Sequence, residues 1–169
     1  DNEKYLSSGW NDVELSPIGV EQAKDLGRRR SGEKFDVIFC SDLQRSYKTA
    51  EIAFQNAVLI IKDARLRECD YGDLTQSPSD EVDPEKLKRL IKPFPHGESY
   101  EQTSERMKSF LTDLTKKYKN KRVLIIGHRA TQYGLEHWIN KVSMKDAIKA
   151  KWRWQPGWGY RFEGFIKSS

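Results

Sequence analysis

"RVLIIGHRATQYG", residues 122–134, runs Val123, Leu124, Ile125 and Ile126 into Gly127, then His128 and Arg129. Four branched apolar residues without alternation suit a strand covered on both faces, as in a parallel sheet flanked by helices, whereas a half-exposed strand would alternate. Residues 122–127 are therefore predicted to form an interior strand. In open sheets of this kind ligands gather beyond the carboxyl ends of the strands, where Gly127 and His128 fall. A lone histidine there equally serves as a packed or surface side chain that satisfies its own hydrogen bonds. Other residues have to decide between these roles.

Outward from this strand, helical and strand patterns take turns. Residues 35–40, "FDVIFC", read as a second buried strand. Before it, "LSPIGVEQAKDLGRRR" has Ser16 as N-cap and Pro17 at the first helical position, with Ile18, Ala23 and Leu26 on the buried face. After it, "SDLQRSYKTAEIAF" begins a helix capped by Ser41 or Asp42, with Ala50, Ala53 and Phe54 turned inward. A short strand and a loop follow Glu51, and another helix starts at Asp83 and Pro84. Ser99 and Gln102 make a capping box for a long amphipathic helix that places Met107, Phe110, Leu111 and Leu114 on one face. The tail "WRWQPGWGYRFEGF" predicts an antiparallel pair around Pro156-Gly157 and Gly159. The alternation implies a three-layer α/β/α domain with a mostly parallel central sheet, and 169 residues suit one such domain, 1–169.

A formal charge of +5 favours anionic partners without choosing among them. The basic runs "GRRRSGEK" and "KKYKNKR" sit between helices and strands, where solvated turns are expected. A nucleic-acid groove would interleave aromatics, and only Tyr118 does so here, so no nucleic-acid partner is expected. Cys40 and Cys69 are too few for a disulfide framework and lack metal-ligand spacing to each other or to His96, His128 and His137. Neither a metal nor a membrane partner is expected, since no stretch approaches the roughly 18 apolar residues of a span. The sequence begins "DNEK" without methionine, so its natural start is expected to lie upstream, where a targeting segment stays open.

Two further residues give His128 company. Arg45 falls in the first turn of its helix, against the helix dipole's preference for anions; a bound phosphate would relieve that conflict through the free N–H groups and the guanidinium fork. Pairing with Asp42 is the alternative. Glu68, in "ARLRECDYGDL", is either a salt-bridge partner among arginines or a carboxyl group able to protonate a leaving alkoxide.

Together these stretches resemble the histidine phosphatase superfamily, which includes the cofactor-dependent phosphoglycerate mutases and related phosphomonoesterases. Five segments match in order: "SSGWNDVELSPIGVEQAKDLG", "FDVIFCSDLQRSYKTAEI", "RLRECDYGD", "PFPHGESYEQTSERMKSFL" and "VLIIGH". The resemblance implies a phosphoglycerate mutase-like fold, no cofactor, and a small phosphorylated substrate or inorganic phosphate as partner. It assigns Arg45, Asn2, Ser8 and Gly9 to phosphate binding, Glu68 to proton donation and His128 to the phosphoryl site. His96 stands where the family has glycine, and no role carries onto it. The family's nucleophile is a histidine in an Arg-His-Gly stretch ending the first strand, just before the position of Asp1, and nothing here matches it. The natural protein is expected to have that strand mid-sheet, since without it two buried strands would expose their edges around an apolar slot.

A cytoplasmic phosphomonoesterase acting through phosphohistidine is thus the expected function. A mutase is the alternative, although the short "DLTQSPSDEVDPEKLKRL" leaves little space for the mutases' basic insertion. A phosphate-binding module without a nucleophile is another, and nucleic-acid binding ranks third. Arg129, Trp152, Trp154 and Trp158 are candidates for shaping the substrate pocket, with a core or strand-pairing role favoured for the tryptophans.

Overall fold

The computed structural model describes residues 5–55 and 57–165. Three parallel strands, β1 (Val37–Cys40), β2 (Ile60–Lys62) and β3 (Val123–Ile126), are ordered β2-β1-β3. Although β1 is apolar throughout, its residues divide with the two-residue period of a strand. Ile38 and Cys40 meet α2 (Gln44–Phe54) through Ala50, Tyr47 and Phe54, together with Leu124 and Ile126 of β3. Val37 and Phe39 meet Met107, Phe110 and Leu111 of α4 (Tyr100–Lys117) and Leu135 of α5 (Arg129–Trp138), together with Val123 and Ile125. With α1 (Pro17–Arg30) packed on α2, the three layers are complete.

Local signals hold at several places. Ser16 accepts the Gly19 amide at 3.1 Å, and Ser99 and Gln102 form the capping box. Others need correction. β3 is an edge rather than an interior strand among the described residues, and all four of its residues are half-buried. β1 and β3 pair directly, Val37 with Val123 through Cys40 with Ile126, so no slot separates the two buried strands. Ile18 is 57% exposed because it lies five residues before Ala23, about 140° around the helix. No side chain caps α2 at Ser41 or Asp42; Asp12 Oδ1 instead accepts the Gln44 amide at 2.7 Å, a partner remote in sequence. The third helix, α3, starts earlier than expected (Ser79–Lys86) with Pro84 inside it, Asp80 and Glu81 favouring its first turn.

The tail contains no strand within 151–165. Side chains hold it instead: Arg29 lies over Trp154, Arg30 donates to the Pro156 carbonyl, Tyr160 donates to Glu136, and Phe165 meets Trp138. Trp152, Trp154 and Trp158 are exposed, so the core or strand-pairing role expected of them is not found. The basic runs pair with nearby carboxylates, Arg29 with Asp25, Arg30 and Arg122 with Glu33, and Lys121 with Asp36.

α1 and α2 touch so closely at Gly27 that a β-carbon there would stand 2.3 Å from the Ala53 carbonyl oxygen. Alanine is the better helix former by about 1 kcal/mol, but backbone on backbone leaves no side chain to yield. Gly27→Ala should therefore destabilise the fold by about 1–3 kcal/mol in urea unfolding. An unchanged or raised midpoint would show that the helices part without cost.

Candidate active site

Because β1 and β3 run parallel and in register, the residues that follow them emerge side by side. Ser41 Oγ lies 2.7 Å from His128 Nε2. Ser46 secures the junction by accepting the Ser41 amide at 3.0 Å and donating to the Ile126 carbonyl at 2.7 Å. The first turn of α5 fixes the histidine's backbone, since the His128 amide donates to Thr131 Oγ1, whose hydroxyl donates to the Leu66 carbonyl.

Glu68 reaches this place from the loop after β2. Its Oε1 accepts the amides of Cys69 at 2.8 Å and Ala130 at 3.1 Å, and its Oε2 accepts that of Arg129 at 3.2 Å. A carboxylate thus occupies the free N–H groups at the start of α5, where charge and dipole agree. Arg45 approaches from the first turn of α2. It makes no ion pair among the described residues, because Asp42 is held by Arg67 through two bonds of 2.6 and 2.7 Å. Arg45 instead donates to the carbonyls of Gly9 at 2.6 Å and Asn11 at 2.9 Å. Gly9 adopts φ +48°, a conformation natural to glycine, and this turn aims its carbonyl at the arginine. Between them Trp10 donates its indole N–H to the Glu68 carbonyl at 2.7 Å, with the Arg67 guanidinium 4.7 Å above its ring.

Glu68 and Arg45 thus both lie near enough to His128 to act on its charge. Burial pushes the His128 imidazole down to about 4, while the Glu68 carboxylate draws it back up and the Arg45 cation opposes protonation. Burial likewise lowers Arg45 from its ordinary range, again opposed by Glu68. Ser8 is buried beside Gly9 and accepts the Asn11 amide. Asn2 lies outside the described residues. His96 is exposed and contacts Asp73 at 3.0 Å, away from the trio. Arg129 lies 5.4 Å from the Trp152 ring. A cavity of about 490 Å³ lies elsewhere, lined in part by Trp138, Arg161, Phe162 and Phe165.

Ser41, Asp12, Trp10, Thr131 and the Arg67–Asp42 pair were not foreseen. Each acts across dozens of residues or through the backbone, and only the serine and aspartate following the β1 run hinted at such a role. Among the described residues no group of three or more His, Cys, Asp or Glu side chains is placed to hold a metal ion. Cys40 and Cys69 are buried free thiols, and burial pushes Cys40 up to about 11 and Cys69 higher still.

Comparison with known proteins agrees with this geometry. The family model of the histidine phosphatase superfamily (branch 1) matches residues 1–154, and the chain belongs to that family. It is 34% identical over 143 residues to phosphoserine phosphatase 1 of Hydrogenobacter thermophilus, covering 74% of this chain and 68% of that one. It is 30% identical over 163 residues to a 2,3-bisphosphoglycerate-dependent phosphoglycerate mutase of Parvibaculum lavamentivorans, covering 87% and 78%. Among solved structures, a mutant phosphoserine phosphatase of Entamoeba histolytica in complex with phosphoserine superposes with a TM-score of 0.72 at 25% identity, over 89% of this chain and 79% of that one.

The His128 shift predicts a pH dependence of folding. Its folded value of about 4 lies below the ordinary 6.5, so between these values the unfolded chain binds the extra proton. Stability is then fully present above pH 6.5 and is lost as pH falls towards 4, by roughly 2–3 kcal/mol. Comparing urea unfolding at the two pH values, His128→Gln should lose less stability than the parent by about that amount. Equal losses would contradict a neutral, half-buried imidazole.

Proposed function

We propose that this single domain is the catalytic unit of a phosphomonoesterase that hydrolyses small phosphorylated metabolites through a phosphohistidine. The observation that carries this function is Arg45, a cation supplied only with neutral carbonyls among the described residues, set beside a neutral imidazole and the start of α5. Replacing a carbonyl by a phosphoryl oxygen converts each of its bonds into a charge-assisted pair on both sides. Relatives named for phosphoserine and phosphoglycerate support a small phosphate ester as the substrate.

In this mechanism Arg45 and His128 bear on the equatorial oxygens of the transferring group, with Asn2, Ser8 and Gly9 forming the rest of the phosphate cradle. Glu68 leaves the α5 amides, which become available to the anion, takes up a proton from solvent and passes it to the departing alkoxide. The attacking imidazole in this mechanism is the histidine of the family's Arg-His-Gly stretch, which none of the three histidines of this sequence matches. Its nitrogen bonds to phosphorus as the ester oxygen leaves. Water then attacks the phosphohistidine, gives a proton to Glu68 and yields inorganic phosphate.

No step requires a metal, and the two free thiols suit a reducing compartment such as the cytoplasm. Among the described residues no helix is long and apolar enough to cross a membrane.

Full-length protein should hydrolyse p-nitrophenyl phosphate at a rate unaffected by EDTA. Arg45→Ala and His128→Ala should each lower turnover about 100- to 1000-fold. Full activity in either variant would refute the assignment of that residue. Interconversion of phosphoglycerates faster than their hydrolysis would favour the mutase alternative.

A further inference from the structure

Arg106 of α4 lies behind Glu68 and uses all five of its N–H donors. Nε donates to Glu98 Oε1 at 3.0 Å, and Nη2 donates to Glu98 Oε2 and to the Glu68 carbonyl, both at 2.9 Å. Nη1 donates to the carbonyls of Arg65 at 2.7 Å and Arg67 at 2.8 Å. Three carbonyls of a four-residue stretch thus turn towards one guanidinium, an arrangement whose oxygen dipoles would repel one another without a cation between them. Glu98 balances that charge and also accepts the Asp70 amide at 3.1 Å. The backbone is pinned at the carbonyls of residues 65 and 67 before the Glu68 side chain and at the carbonyl of residue 68 and the amide of residue 70 after it. The arginine and glutamate side chains are only 15% and 17% exposed, so solvent competes little for these bonds.

We infer that Arg106, held by Glu98, is the positioning residue for proton transfer: it sets the backbone from which the Glu68 carboxyl group reaches the leaving oxygen. This rests on the phosphatase function proposed above and on Glu68 as its proton donor. Arg106 touches neither substrate nor reacting atoms. Lysine cannot substitute for it, because one ammonium with three donors at a single point cannot grip a carboxylate with two bonds and also satisfy three carbonyls. A displacement of the proton donor by about 1 Å is enough to cost on the order of 100-fold in rate.

The test compares two esters in full-length protein. p-Nitrophenolate departs without a proton, whereas the alkoxide of glycerol 2-phosphate needs one. Arg106→Lys should lower kcat/KM, which reports phosphoryl transfer to the histidine and not the later hydrolysis that both esters share, about 100-fold on glycerol 2-phosphate, while kcat/KM on p-nitrophenyl phosphate falls less than about 10-fold. Glu68→Gln should show the same selectivity. Glu98→Gln keeps the shape and the carbonyl bonds of Arg106, and should give a smaller loss, about 10-fold, confined to glycerol 2-phosphate. It supplies the comparison if the lysine variant does not fold. Equal losses on both esters, or no loss in a folded variant, would overturn the positioning role and leave the phosphatase function standing. A parent protein inactive on both esters would overturn that function and the positioning role with it.

Discussion

The parallel, in-register pairing of β1 with β3 is the constraint on which the rest depends. Cys40 stands opposite Ile126, so the next residues of both strands emerge at one level and Ser41 meets His128 within hydrogen-bonding distance. A slip by one residue would turn Val37 and Phe39 away from α4, exchanging the two apolar faces of the sheet. Core packing therefore enforces the same register that aligns the site. The four buried residues of β1 show how much apolar surface holds it in place.

Around that junction each charged group is provisionally satisfied by the protein itself. Arg45 holds two carbonyls, Glu68 holds three amides, and His128 lies against a serine hydroxyl. Leaving any of them buried and unbonded would cost about 1–3 kcal/mol or more. In the function proposed above, an arriving phosphoryl group would displace these bonds by bringing charge to the arginine and to the amides at the start of α5. Such an exchange would favour an anion over a neutral ligand, with affinity and selectivity arising from the same groups.

Much of this was legible in the sequence where the cause was local. Apolar runs ending at Cys40 and Gly127 marked two strands, Ser16-Pro17 and Ser99 with Gln102 marked helix starts, and residue order marked the trio. What stayed hidden depends on partners distant in the chain. The edge position of β3 is decided by neighbouring strands rather than by its own composition, so a run of Val, Leu and Ile reads alike at an edge or a centre. The cap of α2 is supplied by Asp12, and the Glu68 loop is shaped by an arginine on α4 that periodicity marks only as a polar position. The tail misled because Pro and Gly turns between aromatic residues suit a hairpin, whereas arginine stacking and single hydrogen bonds hold it in place.

A crystal structure of the full-length protein with vanadate tests the central claim most directly. The oxyanion should sit beyond the carboxyl ends of β1 and β3, with the Arg45 guanidinium turned from the Gly9 and Asn11 carbonyls onto its oxygens, the His128 imidazole within hydrogen-bonding distance, and the Glu68 carboxyl group facing it. Vanadate bound elsewhere, with Arg45 still on those two carbonyls and Glu68 still on the α5 amides, would contradict the account.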